Sequence, residues 1–189
     1  MNKQQTAHEV AAGLLVALRF AAHKHSRQRR KDAAATPYIN HPIAVAEVLA
    51  RIAGVSDLGI LQAAILHDTL EDTQTAAEEL DEHFGQAVRS LVEEVTDQKG
   101  LPQQERKRLQ IEHAPKLSQA AKLIKMADKI SNLSDISATQ PVGWPLQRKL
   151  EYLDWAEQVV AGCRPSNPQL EHHFDAVLKA KRELLKCGV

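Results

Sequence analysis

Apolar residues recur three and four positions apart through most of this chain, and no stretch alternates convincingly at a period of two. The first pattern belongs to a helix with one buried face and the second to a half-buried strand, so the chain specifies helices and no sheet. Val10, Leu14, Ala17, Leu18 and Ala21 mark a helix over 7–25. Pro42 opens a second, with His41 at its N-cap, Ile43, Val45, Val48, Leu49 and Ile52 inward, and Gly54 at its end. Asp57 caps a third, which carries Leu58, Leu61, Ala64 and Ile65. Thr75 and Glu78 have capping-box spacing for a helix ending at Gly85, and another spans about 86–96. Pro102 opens a highly charged, peripheral helix to about 113, and the next runs from about 117 to 136. Pro145 opens one to about 161, with Leu146, Leu150, Leu153, Val159 and Val160 inward. Asn167-Pro168 starts the last helix, which uses Leu170, Phe174, Val177 and Leu178 and ends near Lys186. With aromatics at 4% and Ala, Leu, Glu, Gln and Lys abundant, the expected fold is one all-α domain over residues 1–189, of about eight to ten helices.

Chemistry concentrates in one stretch, Ala63–Thr73. Its apolar first half delivers His67 and Asp68 side by side, then Glu71 and Asp72: one imidazole and three carboxylates within six residues. Charges leave water only when paired or bound to metal, and a divalent cation is the simplest partner for this cluster. If the helix continues, His67 shares a face with Glu71, and Asp68 with Asp72. Further ligands have to come from elsewhere. His41 is one candidate, although an imidazole at a helix start is also an ordinary hydrogen-bonding residue. Asp128, one turn from Asn132 on an amphipathic helix, is another; its plain alternative is a surface pair with Lys125 or Lys129.

The remaining features exclude more than they assign. The formal net charge is zero, so nothing draws the whole molecule to nucleic acid or to an anionic membrane. Lys24–Lys31 holds five cationic residues in eight, which suits a solvated surface or an anion clamp. No aromatic residue lies within the run to stack on bases, so a nucleic-acid-binding helical module is the weaker reading. Cys163 and Cys187 lack a metal or redox spacing and are read as thiols. With no apolar run of membrane-spanning length, the expected compartment is the cytoplasm. There is no glycine-rich phosphate loop and no Gly-x-Ser-x-Gly elbow. The oligomeric state is not legible.

Taken together, His41, His67, Asp68 and Asp128 make a mixed nitrogen and oxygen donor set without thiolate. It suits manganese well and leaves iron, zinc and magnesium open. Their order and spacing resemble the HD superfamily of metal-dependent phosphohydrolases. The likeness narrows through Arg29–Asp32, Thr36–Pro42, Ile65–Thr73, Glu94–Asp97, Ala127–Lys129 with Asn132-Leu133, and Glu151-Tyr152. These segments resemble those of the small alarmone hydrolases of the metazoan SpoT-homologue type. That resemblance covers roughly residues 10 to 180. It implies hydrolysis of the 3′-pyrophosphate of ppGpp and pppGpp in an all-helical fold, usually with manganese. It makes His41, His67, Asp68 and Asp128 the metal ligands and Glu71 and Asp72 the catalytic carboxylates. Arg30, Lys31, Asn132, Arg148 and Tyr152 would face the nucleotide. Another ribose-phosphate nucleotide, NADPH foremost, is the alternative substrate. Met126 and Ser131 depart from the leucine and aromatic residue expected there, and neither is expected to touch a ligand. About sixty residues follow Asp128, so no synthetase domain is expected.

Overall fold

The protein is described from a computed structural model covering residues 6–137 and 141–187. Its helices are α1 Ala7–Lys24, α2 Asn40–Arg51, α3 Leu58–Leu66, α4 Thr69–Asp72, α5 Ala77–Phe84, α6 Gln86–Val95, α7 Gln103–His113, α8 Gln119–Ser134, α9 Leu146–Cys163 and α10 Pro168–Lys186. A 3₁₀ turn, Ala114–Lys116, joins α7 to α8. Among the described residues there is no strand, only one antiparallel bridge, Arg29 to Pro37, which closes the basic turn.

The helix starts follow local chemistry. Thr6 and Glu9 form a reciprocal capping box on α1. Side chains of Asp57, Ser118 and Asn167 accept the otherwise unpartnered N–H groups of Ile60, Ala121 and Leu170 at the starts of α3, α8 and α10. The box expected at Thr75 and Glu78 does not form. Helix α5 starts at Ala77 with no side-chain cap. The Thr75 hydroxyl instead lies 2.7 Å from that of Thr73, which bonds back to Thr69 O, so both threonines close the turn after α4. His41 is not an N-cap either. The turn after Pro37 is already wound, with His41 N donating to Tyr38 O, so α2 begins at Asn40 and His41 lies in its first turn. Proline is tolerated just behind it, because the first N–H groups of a helix have no partner to lose.

Helix α8 is the central strut. Leu123, Ile124, Met126, Ala127, Ile130 and Leu133 are buried along it, and it packs on α2, α3, α6, α9 and α10. Leu49 of α2, Ile65 and Leu66 of α3, Leu153 of α9 and Phe174 of α10 fill the space around it. Each such side chain contributes about 1.5–3 kcal/mol of apolar burial. Two residues expected inward are exposed, Ile43 at 42% and Leu146 at 52%. The buried row of α2 is His41, Val45, Leu49, which turns Ile43 outward. Leu146 is the first residue of α9 and falls beyond the core that takes Leu153, Ala156 and Val160.

Candidate metal and nucleotide site

Three helices supply the centre of the site. The first turn of α2 brings His41, the end of α3 brings His67, and the middle of α8 brings Asp128, all three buried. One donor atom from each lies within 4.8 Å of the others. His41 Nε2 is 3.1 Å from Asp128 Oδ1, and His67 Nε2 is 4.0 Å from the same oxygen. The helix breaks at His67 and Asp68 before the single turn of α4. That break turns Asp68 back, with its Oδ2 3.0 Å from His67 Nε2 and 3.7 Å from His41 Nε2.

Neighbours fix which imidazole nitrogen faces this point. His67 Nδ1 donates to Ala64 O at 2.8 Å, and His41 Nδ1 lies 3.0 Å from Ser131 Oγ. Ser131 therefore touches a candidate ligand, contrary to expectation, because it sits one turn beyond Asp128 on the face of α8 that meets α2. Met126 is fully buried in the core. Tyr38 Oη donates to Asp68 Oδ2 at 2.6 Å, and Asn132 Nδ2 donates to Asp128 Oδ1 at 2.6 Å. Lys129 Nζ lies 2.8 Å from Asp128 Oδ2, so the expected pairing exists inside the site rather than at the surface.

The electrostatics favour a cation. Burial disfavours ionised Asp68 and Asp128. The imidazoles, and for Asp128 also Lys129, outweigh burial and hold both carboxyls well below their usual range. Burial equally disfavours a charged His67, yet Asp68 and Asp128 push it up to about 9. The pocket thus draws a positive charge onto His67, and a divalent ion would supply that charge with His67 neutral. His67 Nε2 is buried and faces only the carboxylates of Asp68 and Asp128, with no aligned hydrogen bond, which is the state of an imidazole nitrogen available for coordination. His41, His67 and Asp128 therefore fit a metal ion, with the Asp68 carboxylate beside both imidazoles.

Glu71 and Asp72 follow on α4 and are held from opposite sides. Arg106 Nη1 donates to Glu71 Oε1 at 2.6 Å, and Asp97 N donates to Glu71 Oε2 at 3.3 Å. Burial and the carboxylates of Asp97, Asp68 and Asp72 push the Glu71 carboxyl up to about 7. Gln28 Nε2 donates to Asp72 Oδ2 at 2.8 Å, and Gln28 Oε1 lies 2.6 Å from Nδ1 of buried His25.

Two adjoining cavities surround these groups. The larger, of about 550 Å³, is lined by the four metal candidates, Glu71, Asp72, Asn132, Arg148 and Tyr152. The smaller, of about 400 Å³, holds Arg30 and Lys31 and shares Tyr38, Asp72, Asn132 and Tyr152 with the first. All the candidate residues therefore line one or other of two cavities that share part of their walls. Arg30 Nη2 donates to Asn132 Oδ1 at 3.2 Å and pairs with Asp135. Arg148 lies over the Trp144 ring at 4.3 Å, with Tyr152 and Trp155 behind it. Burial pushes the Tyr152 phenol up to about 12, which keeps it neutral and able to donate.

Gln28, Tyr38, Arg106 and Trp144 were not singled out from the sequence, and Ser131 was noted there only as a departure without a ligand contact. Tyr38 lies inside the Thr36–Pro42 segment and Gln28 inside the basic run, so position marked both, but neither residue type declares a role alone. Arg106 and Trp144 carried no signal, since one is on a helix without an apolar stripe and the other in a loop.

Residues 17–151 match the HD domain model. The chain belongs to the HD-domain family, whose fold it shows among the described residues. Within that family it is 57% identical over 165 residues to the guanosine-3′,5′-bis(diphosphate) 3′-pyrophosphohydrolase MESH1 of Xenopus tropicalis, covering 87% of this chain and 92% of the relative. Against the human protein of the same name the identity is 55% over 171 residues, covering 90% and 96%. A solved structure described as a metazoan orthologue of SpoT that hydrolyses ppGpp superposes with a TM-score of 0.86 at 44% identity, covering 95% of this chain and 98% of that one.

Proposed function

We propose that this protein is a metal-dependent hydrolase that removes the 3′-pyrophosphate from ppGpp and pppGpp, giving GDP or GTP and pyrophosphate. One observation supports the reading: two adjoining cavities are lined by the candidate metal residues, two adjacent carboxylates and cationic side chains, in a chain more than half identical to relatives named for that reaction. The metal is manganese, held by His41, His67, Asp68 and Asp128. When bound, it lowers the pKa of a water and neutralises phosphate charge. Residues 1–189 act as one domain, and the site of action is the cytoplasm. No helix among the described residues is long and apolar enough to cross a membrane.

The chain's own groups divide the work. Water attacks the phosphorus attached to the ribose 3′-oxygen. The bond from phosphorus to that oxygen breaks, and the oxygen leaves with a proton. Both partners of Glu71 are donors, while burial and the neighbouring carboxylates raise its carboxyl to about 7, so it is poised to exchange a proton near neutrality, and Glu71 takes the proton from the attacking water. Asp72, held by the neutral Gln28 amide, borders both cavities and passes the proton that Glu71 took from water on to the leaving oxygen, which leaves both carboxylates as they began. Arg30, Lys31 and Arg148 neutralise the pyrophosphate, and Asn132 and Tyr152 orient the nucleotide.

Turnover of ppGpp in ¹⁸O-water, read by mass spectrometry, tests this chemistry. The label is expected in pyrophosphate and absent from GDP. Label in GDP would mean that the bond to the ribose carbon breaks and would overturn the mechanism. Release of phosphate from NADPH without turnover of ppGpp would move the same site to the alternative substrate.

A further inference from the structure

Helix α7 buries none of its residues, yet it forms a wall of the larger cavity through Gln103, Gln104, Arg106, Lys107 and Gln110. Polar contacts hold it there. Arg106 and Gln110 are one helical turn apart and point the same way. Arg106 Nη1 donates to Glu71 Oε1 at 2.6 Å, and Gln110 Nε2 donates to Asp97 Oδ2 at 2.6 Å. Asp97 in turn gives its backbone N–H to the other Glu71 oxygen, and Lys125 Nζ lies 3.8 Å from Asp97 Oδ1. Trp155 of α9 fixes the same helix by donating from Nε1 to Lys107 O at 3.0 Å. Both oxygens of Glu71 are thus held by groups that α7 supplies or braces.

We infer that Arg106 is a positioning residue that acts through Glu71, setting the direction of the carboxylate that receives the proton from water. The inference rests on the hydrolase reading above. A two-point clamp on a carboxylate matters because a misplacement of about 1 Å can cost about 100-fold in rate. A neutral residue at 106 leaves Glu71 with one weak donor and free to rotate. Arg106 also borders the cavity, so a direct contact with the pyrophosphate is the competing role, and kinetics separates the two.

The test compares Arg106→Gln, Arg106→Lys, Glu71→Gln and the double variant Arg106→Gln/Glu71→Gln, all manganese-loaded and acting on ppGpp. Melting curves confirm folding, which a half-buried side chain on a peripheral helix should leave intact. A positioning role predicts that Arg106→Gln lowers kcat about 10–100-fold while KM changes less than about 3-fold. Lysine restores part of the rate, and the double variant is no slower than Glu71→Gln alone. A raised KM with kcat retained would overturn the role in favour of substrate binding. Losses that multiply in the double variant would overturn it as well, because Arg106 would then act independently of Glu71. If the unmutated protein does not turn over ppGpp, the functional reading falls and this role with it. Normal kinetics in Arg106→Gln removes the role alone.

Discussion

Glu71 meets charge of both signs. Asp68, Asp72 and Asp97 oppose its ionisation, Arg106 and the Asp97 N–H favour it, Lys125 adds a half-buried cation nearby, and burial raises its carboxyl to about 7. Such a group is half ionised near neutrality and matched to proton transfer there. As the proton acceptor it works only when ionised, so kcat/KM for ppGpp rises with pH through about 7, and Glu71→Gln removes that rising limb as well as most of the rate. An unchanged limb in the variant would assign the titration elsewhere. Tyr38 bears on the metal side. Its hydroxyl fixes Asp68, and Tyr38→Phe is expected to weaken manganese binding about 10–100-fold by titration while the fold persists. His67, Asp68, Glu71 and Asp72 were legible because four ionisable groups at the end of an apolar run announce themselves. Ser131 and Gln28 were not, since each gains its meaning from a partner 90 or 44 residues away that only the fold brings near.

Helices with apolar stripes could be read with boundaries off by a residue or two. Helix α7 was legible from its Pro102 start as a charged, peripheral helix, but its attachment was not, because Arg106, Gln110 and Lys107 O hold it beside a partly buried Ile111 rather than through a continuous apolar stripe. Local signals also competed with one another. Thr75 and Glu78 have the spacing of a capping box, but Thr73 engages Thr75 first, and the turn after α4 prevails. Close packing is decisive where α9 crosses the 3₁₀ turn at Gly162. A Cβ there would lie 2.8 Å from Ala114 Cβ and 3.0 Å from Pro115 Cδ, neither on a flexible side chain. Gly162→Val is expected to destabilise the protein by about 1–3 kcal/mol in urea unfolding. A neutral result would mean that α9 has room to move off the turn.

At the level of the whole molecule, the candidate ligands come from α2, α8 and the junction of α3 with α4, so a bound ion ties the central strut to two of its neighbours. An ion that binds only the folded chain stabilises it by about 2.7 kcal/mol at a concentration 100 times its Kd. For a chain of this size that raises Tm by roughly 5–10 °C, and a chelator should reverse it. Alanine at Asp128 should abolish the response. The all-helical class was open to sequence reading, whereas the convergence of these elements on one cavity required the packing of α8 against α2 and α3. On the proposed function, that convergence is a metal-dependent site for ppGpp. The most direct measurement is turnover of ppGpp by metal-stripped protein as manganese is added back, with His67→Ala and Asp128→Ala alongside. No GDP or pyrophosphate is expected without metal, both in equal amounts with it, and neither from the variants. Turnover that survives metal removal, or that persists in the two variants, would contradict the proposed function.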